Sequence, residues 1–514
     1  GRETGIHTSA PDLVEKYGSF FKITLPDNAS VTNDANTPTA MCCDPELLRE
    51  IYDRPEDFQK MGWKDSTTRK NGTGAGLFPS DDDEPLYHQA SRILRPAFSQ
   101  KGMKEYFPII QNSTMLLARR FESASTDAKL IDTHKIMSAF TFDVISKVCF
   151  SHDFGSLTSD EPNEFLTHLE NTVDAAVTMR KYPSKALGTA GLVLSGQAAK
   201  SAAASKYRQA VNQSMLNERK ALLGTLQPSS SDPATGGAEE ASANAKTAAP
   251  NDMLTRMLTE ADPVTGQKLP DDNIMAQITT FLVAGHDSTS STITTLLYNV
   301  CLNPDVERRV YEEVVGVCGA DPDAPITWAQ LASLPYCNTV LQENMRLYPA
   351  APAFFKRTRA DRAVLLGKYE LPPATDIEIN TWGLARNPAV WPEPTKFDPG
   401  RWTEESARGR SPFASLPFSY GTRGCIGRQL SLLEQRMALA YLVRKFHLTV
   451  DPSSDLKVDA WVFTNPEGVR IKVTPRAPPS SSSSVVLHHH CPGTVTPDPA
   501  SSQQHQHDLD SLPE

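Results

Sequence analysis

Apolar residues recur at three- and four-residue spacing over most of the chain, as in helices that bury one face. The pattern predicts helices over 103–123, 131–150, 162–182, 205–223, 272–302, 304–318, 336–348 and 425–446. Period-two alternation is confined to a few places. It predicts strands at 354–358, 363–371 (turning at Gly367-Lys368) and 376–380, a second group at 446–450 and 461–473, and a further pair within 20–42. In the second group Val469, Ile471 and Val473 alternate with Arg470 and Lys472. Strands gathered this way do not alternate with helices as a parallel βαβ sheet requires. The expected fold class is mainly α with small β-sheets.

Two stretches carry neither period. Residues 228–250 read PSSSDPATGGAEEASANAKTAAP, and 478–514 are rich in Ser, Pro, Gln and His. Neither can bury enough apolar surface to offset ordering entropy. We therefore expect one domain at 1–477 with a disordered insertion at about 228–250, followed by a disordered tail or linker at 478–514. His488, His489 and His490 beside Cys491 read as part of that solvated tail.

Composition excludes some classes. The 514 residues include 51 basic and 61 acidic side chains, a formal charge of −10 that argues against nucleic acid as the main partner. No stretch approaches the ~18 uncharged apolar residues of a membrane span. With Gly1 first and no signal peptide, the expectation is a soluble, cytoplasmic fragment or processed form, with peripheral membrane contact left open. Seven of the eight cysteines read as free thiols in a reducing compartment, and no pair has zinc spacing. The run 72-GTGAG-76 has no leading strand and is followed by Pro79 and three aspartates, so it reads as a flexible loop and not a phosphate cradle.

The eighth cysteine carries the strongest chemical signal. In 418-FSYGTRGCIGRQL-430, Gly421, Gly424 and Gly427 surround Cys425 just ahead of a helix. Backbone N–H groups aimed at the sulfur and the positive end of that helix would stabilise a thiolate, a suitable axial ligand for haem iron. Taken alone, one cysteine at a helix start is better read as structural. A second signal lies mid-helix at 283-VAGHDSTS-290. Gly285 there costs roughly 1 kcal/mol relative to Ala, so something needs close approach. Asp287 is a carboxylate in the most apolar part of the chain, with the hydroxyl of Ser288 beside it. Such a pair can deliver protons, although polar groups bonded to their own backbone are an equal alternative. Third, Glu343 and Arg346 share a helix face and can pair, with Arg401 of 397-FDPGRW-402 as a third charge.

These four elements in this order resemble the cytochrome P-450 monooxygenases, and residues 418–427 match the family's haem-loop pattern FxxGxRxCxG in full. The likeness covers roughly 12–476 and is closest to soluble, self-sufficient fatty-acid hydroxylases, in which a haem domain is fused to a diflavin reductase. It implies a fold with haem b between a long central helix and the Cys-loop helix. It also implies a monooxygenase that hydroxylates or epoxidises a hydrophobic substrate, a fatty acid being one candidate. Oxygen would be O2, and electrons would come from NADPH through a reductase carrying FAD and FMN, fused or separate. By the same resemblance Cys425 would be the iron ligand, and Asp287 and Ser288 the acid–alcohol pair. Phe418, Gly421 and Gly427 would frame the haem, Arg423 would meet a propionate, and Tyr87 would be its aromatic companion. Glu343, Arg346 and Arg401 would form a structural cluster, and Phe78, Ala284, Ala351 and Val462 would line the pocket.

The chain departs from the pattern in places. Ser288 replaces the usual Thr, Tyr87 a frequent Trp, and Ser91 a basic residue; the stretch 20–41 has neither Arg nor Tyr for a fatty-acid carboxylate. No flavodoxin-like or nicotinamide-binding sequence follows Pro478. Arg408, Arg410, Arg423, Arg428 and Arg436 face a single acid, Glu434, over 406–436, a local +4 that suggests a landing site for an acidic flavoprotein. The competing readings are a peroxide-driven peroxygenase, a haem-thiolate isomerase, and a haem-based ligand sensor without turnover.

Overall fold

Helices form where the apolar periodicity places them. In chain order they are α1 (Ala10–Tyr17), α2 (Pro45–Asp53), α3 (Pro85–Leu94), α4 (Gln100–Thr126), α5 (Thr133–Phe150), α6 (Glu164–Arg180), α7 (Lys185–Leu194), α8 (Gln197–Thr225), α9 (Met253–Thr259), α10 (Asp271–Leu302), α11 (Pro304–Cys318), α12 (Pro335–Leu347) and α13 (Arg428–Lys445), besides short turns of helix. Sequence periodicity marks eight of these; α3, which carries Tyr87, is too short and too mixed to stand out. The alanine-rich start of α8 extends that helix eight residues ahead of the expected 205. The structure, a computed structural model, describes residues 2–4, 7–24, 37–60, 62–63, 69, 74–180, 185–226, 249–460 and 463–476, all in the compact unit Gly1–Arg476. The expectations for 228–248, for Val462 and for the tail 478–514 lie outside the described residues.

The long helix α10 is the axis. Asp271 and Asp272 in its first turn suit the positive helix end, and Asn303 ahead of Pro304 stops it. It is buried almost all round, with α5, α8, α12 and α13 packed along it. Helix α5 is fastened at its start by Asp132, whose carboxylate accepts from Lys135 N–H, and ends at Ser151 with φ 50°. One large hydrophobic core lies among these helices.

The strands form small peripheral sheets. A five-stranded sheet has the order β2 (Phe20–Ile23), β3 (Thr39–Cys42), β9 (Asp376–Asn380), β6 (Ala353–Thr358), β4 (Phe58–Gln59). Its β3–β9 pair is parallel and the others antiparallel. Beneath it Leu48, Ile51, Phe58, Ile377 and Ile379 make a second core. The hairpin β11 (Lys457–Ala460) and β12 (Thr464–Glu467) is tied to the loop before β6 through Thr464 N–H to the Ala350 carbonyl at 2.9 Å. Strand β13 (Arg470–Pro475) pairs with β10 (Phe446–Val450).

The glycine-rich loop behaves differently from expectation. A Cβ at Gly76 would fall 2.1 Å from Thr280 Oγ1, and one at Gly74 3.0 Å from Ala276 Cβ. Asn273 Nδ2 donates to the Ala75 carbonyl at 2.8 Å, and Leu77 N–H donates to Gln277 Oε1 at 3.0 Å. Residues 74–77 are thus docked on α10 and not loose. Their small side chains serve helix contact.

Candidate active site

The cysteine loop closes on itself before α13 starts. Cys425 N–H donates to the Phe418 carbonyl and Gly424 N–H to the Gly421 carbonyl, both at 2.9 Å. Gly421 sits at φ 69°, where a side chain would be strained. Among the described residues Cys425 is the one exposed thiol; Cys42, Cys43, Cys149, Cys318 and Cys337 are buried and Cys301 is half-buried, all unbridged. Yet burial pushes the Cys425 thiol pKa up, against bonds from the Gly427 and Arg428 N–H groups and the charge of Arg428.

Along α10 the four expected residues divide by direction. Ala284 and Ser288 share a face, one turn apart, and Ser288 Oγ donates to the Ala284 carbonyl at 2.7 Å. That bond gives the serine a fixed rotamer without the methyl of threonine. Gly285 turns elsewhere: a Cβ there would lie 2.5 Å from Ile145 Cγ1 and 2.6 Å from its Cδ1. The close approach anticipated at this glycine is made by α5, not by a ligand. Thr141 Oγ1 locks the same contact by donating to the His286 carbonyl at 2.9 Å. Asp287 is half-buried; burial raises its carboxyl pKa, and the charge of His134 on α5 works against that.

Arg423 has its donors occupied. It pairs with Asp82, donates to the Leu77 and Ser80 carbonyls at 3.2 and 2.7 Å, and lies 3.3 Å above the Tyr87 ring. Tyr87 completes the join by donating to the Thr422 carbonyl at 3.1 Å. The sequence reading missed two further cations here. Lys60 donates to the Phe78 carbonyl, and Lys356 lies 5.5 Å from the Tyr52 ring. Burial holds the pKa of both lysines down, with Arg423 adding to it and Asp82 opposing. Three crowded cations around Asp82 and Asp81 leave room for a further anion. Lys60 and Lys356 carried no motif that would have revealed them; they meet only because β4 and β6 are paired in space.

Glu343, Arg346 and Arg401 come together as a charged cluster. Glu343 and Arg346 are fully buried and paired bidentately at 2.8 Å, and Arg401 Nε lies 3.3 Å from Glu343. Trp402 Nε1 and the Asp398 N–H, unforeseen partners, each donate to Glu343 at 2.9 Å. Arg346 also donates to the Ala385, Pro394 and Lys396 carbonyls, so no donor of this buried group is left bare.

The expected basic landing patch is smaller than the sequence suggests. Arg410 is stacked on Trp391 at 4.4 Å and donates to the Arg401 and Ser406 carbonyls, Arg423 is committed to Asp82, and burial lowers the pKa of Arg436. Of the five arginines only Arg408 and Arg428 are exposed. Phe78, at 49% exposure, stands edge-on to Trp63 with ring centroids 5.0 Å apart. Ala351 lies before β6, its carbonyl held by Thr381 Oγ1 at 2.6 Å.

Comparison with known proteins agrees with this geometry. Residues 2–473 match the family model for cytochrome P-450, and the chain belongs to that family. It is 28% identical over 90% of its length to a bifunctional cytochrome P-450/NADPH–P-450 reductase of Bacillus cereus, of which it covers 40%. It is likewise 28% identical, over 85%, to cytochrome P-450 4F8 of Homo sapiens, of which it covers 81%. Among solved structures it resembles the cytochrome P-450DA haem domain, with a TM-score of 0.75, 28% identity, and coverage of 91% of this chain and 92% of that one. The chain thus spans about two fifths of the bifunctional relatives it matches. The family's cofactor is haem b. An exposed thiol ahead of a helix fits its iron, and the half-buried cations Lys60, Lys356 and Arg423 fit its carboxylates.

Proposed function

We propose that this chain is the haem-thiolate part of a monooxygenase that inserts one oxygen atom of O2 into a hydrophobic substrate. The observation that carries the reading is Cys425, the one exposed thiol among the described residues, held in a glycine-rich loop with the Gly427 and Arg428 N–H groups directed at its sulfur. Cys425 would ligate the iron, with Phe418, Gly421 and Gly427 shaping the loop against the macrocycle. Lys60 and Lys356, with Arg423 and Tyr87 beside them, would meet the propionates. Glu343, Arg346 and Arg401 hold the loop's foundation. Bound there, the haem supplies activation of dioxygen, which no side chain of this protein can perform.

The reaction consumes substrate, O2, two electrons and two protons and yields hydroxylated product and water. Asp287 gives protons to Ser288, and Ser288 passes them to the cleft side of α10. Phe78, Ala284 and Ala351 would line the substrate side with apolar surface, which selects hydrophobic substrates and keeps bulk water out. A fatty acid fits the apolar wall, as do neutral lipids. Electrons would come from NADPH through a diflavin reductase, in keeping with the fused reductases of the bifunctional relatives. Arg408 and Arg428 supply the positive surface for its docking. In this reading 1–477 is the haem domain and 478–514 a linker or tail. Among the described residues no helix is long and apolar enough to cross a membrane; unbridged thiols suit a cytoplasmic setting.

Cys425→Ser tests the core of this: the carbon monoxide spectrum of the reduced, haem-loaded chain should lose its thiolate character, and an unaltered spectrum refutes the assignment. Turnover of lipids supported by peroxide alone, and not by NADPH with a reductase, would favour the peroxygenase instead.

A further inference from the structure

A few residues ahead of Cys425 the backbone takes a conformation that side chains avoid. Ser419 sits at φ 58°, in the left-handed region, and it is not a glycine. Rotation about its N–Cα bond is rotation of the peptide plane that joins it to Phe418. Both ends of that plane are bonded: the Ser419 N–H donates to the Leu416 carbonyl at 3.1 Å, and the Phe418 carbonyl accepts from the Cys425 N–H at 2.9 Å. A return to an ordinary φ of about −60° would swing the plane by about 120° and carry the acceptor away from Cys425. Strained backbone of this kind persists only where its surroundings over-determine it.

One side chain from a distant element supplies much of that restraint. The Tyr52 hydroxyl and Ser419 Oγ share a hydrogen bond at 2.9 Å, and among the described residues neither hydroxyl has another partner. The Tyr52 ring is stacked on Phe413 with centroids 5.9 Å apart and meets Tyr420 edge-on at 5.7 Å. A Cβ at Gly421 would stand 3.8 Å from its Cδ1. The ring is carried by a fixed helix: Asp44 caps α2 by accepting from the Glu46 and Leu47 N–H groups, and Leu48 and Ile51 are fully buried in the second core, against which Tyr52 itself packs. Burial pushes the phenol pKa up to about 12, so the hydroxyl keeps its proton at any working pH.

We propose that Tyr52 is a positioning residue for the iron ligand: its hydroxyl keeps Ser419 left-handed, which keeps the Phe418 carbonyl on the Cys425 N–H and the sulfur against the Gly427 and Arg428 N–H groups. The proposal rests on the haem-thiolate reading of Cys425. Tyr52 acts on the thiolate through the loop alone. A glycine at 419 would adopt the same φ without a tether, whereas serine needs one and has the hydroxyl to accept it. That difference makes the idea testable.

The test compares the full, haem-loaded chain with Tyr52→Phe, Ser419→Ala, Ser419→Gly and the double variant Tyr52→Phe/Ser419→Gly. Tyr52→Phe removes one oxygen and leaves the ring contacts; Ser419→Ala removes the partner and leaves the strain. In both, deuterium exchange of the Cys425 amide should quicken about ten-fold, because its acceptor is no longer held. Weaker N–H bonds leave more charge on the sulfur, so the ratio of reduced to oxidised haem at a fixed potential should fall about three-fold or more. The reduced, carbon monoxide-bound spectrum should keep its thiolate character. Ser419→Gly should match wild type in all three readouts, and Tyr52→Phe should change nothing in that background. Unchanged exchange and midpoint in Tyr52→Phe overturn the proposal. So does a Ser419→Gly as perturbed as Ser419→Ala, since the backbone conformation would then not be what the tyrosine holds. Loss of thiolate character with no fall in midpoint, in Tyr52→Phe and Ser419→Ala alike, marks a general loosening of the fold and overturns it as well. If Cys425→Ser keeps the wild-type carbon monoxide spectrum, the haem-thiolate reading fails instead.

Discussion

Gly285→Ala separates the two reasons a helix can carry an interior glycine. If the residue only forgoes helix propensity, alanine gains about 1 kcal/mol. The structure points the other way, because the new Cβ would stand 2.5 and 2.6 Å from two carbons of Ile145, against a comfortable ~3.5–4.0 Å. Relief requires α5 and α10 to part by about 1 Å or Ile145 to leave its rotamer, and overpacking of this kind costs about 1–3 kcal/mol. Ile145 is 2% exposed, so truncation to alanine alone should cost about 2–5 kcal/mol. In the Ile145→Ala background the two contacts under 3 Å are gone and only the 3.2 Å approach to the Cβ of residue 145 is left, so Gly285→Ala should there recover most of its intrinsic gain. The expected coupling between the two changes is therefore about 1–3 kcal/mol in favour of the double variant. Urea midpoints of all four proteins, haem-saturated and compared at equal slope, measure it. Gly285→Ala stabilising both backgrounds by the same ~1 kcal/mol would refute the close contact of α5 and α10.

Other consequences follow from buried charge. Glu343→Ala strands Arg346 and the Trp402 indole in a closed interior and should destabilise by about 3–5 kcal/mol, seen as a lowered melting temperature with loss of haem. Arg208 is 4% exposed and among the described residues its one hydrogen bond is a 3.4 Å contact to Ser205 Oγ, so Arg208→Met should raise the melting temperature; a drop would mean the guanidinium has a partner of weight. His286 is held neutral, its Nδ1 donating to the Leu282 carbonyl at 3.0 Å, and burial brings its pKa down to about 4. The unfolded chain then binds more protons between its ordinary value of about 6.5 and 4, so stability falls as pH falls through that window, by about 3 kcal/mol. His286→Gln should flatten that stretch of the pH–stability curve, and an unchanged slope would show the ring is protonated in the fold.

Local sequence determined the helices and the charged pair. Three- and four-residue spacing is a property of neighbours along the chain, so 131–150, 272–302 and 304–318 were legible to within a residue or two. The spacing of Glu343 and Arg346, one helical turn, likewise forces them onto one face. The cysteine loop was legible because its glycines, its thiol and the following helix are contiguous. What the tertiary structure decided is whatever depends on which distant segments meet. Ile145 against Gly285, and Lys60 and Lys356 beside Arg423, come from separate elements, and no period or motif in any one of them names its partner. The same cause explains the shrunken basic patch. Sequence adds charges by proximity along the chain, whereas burial against Trp391, Asp82 and the core of α13 removes three of the five arginines from the surface.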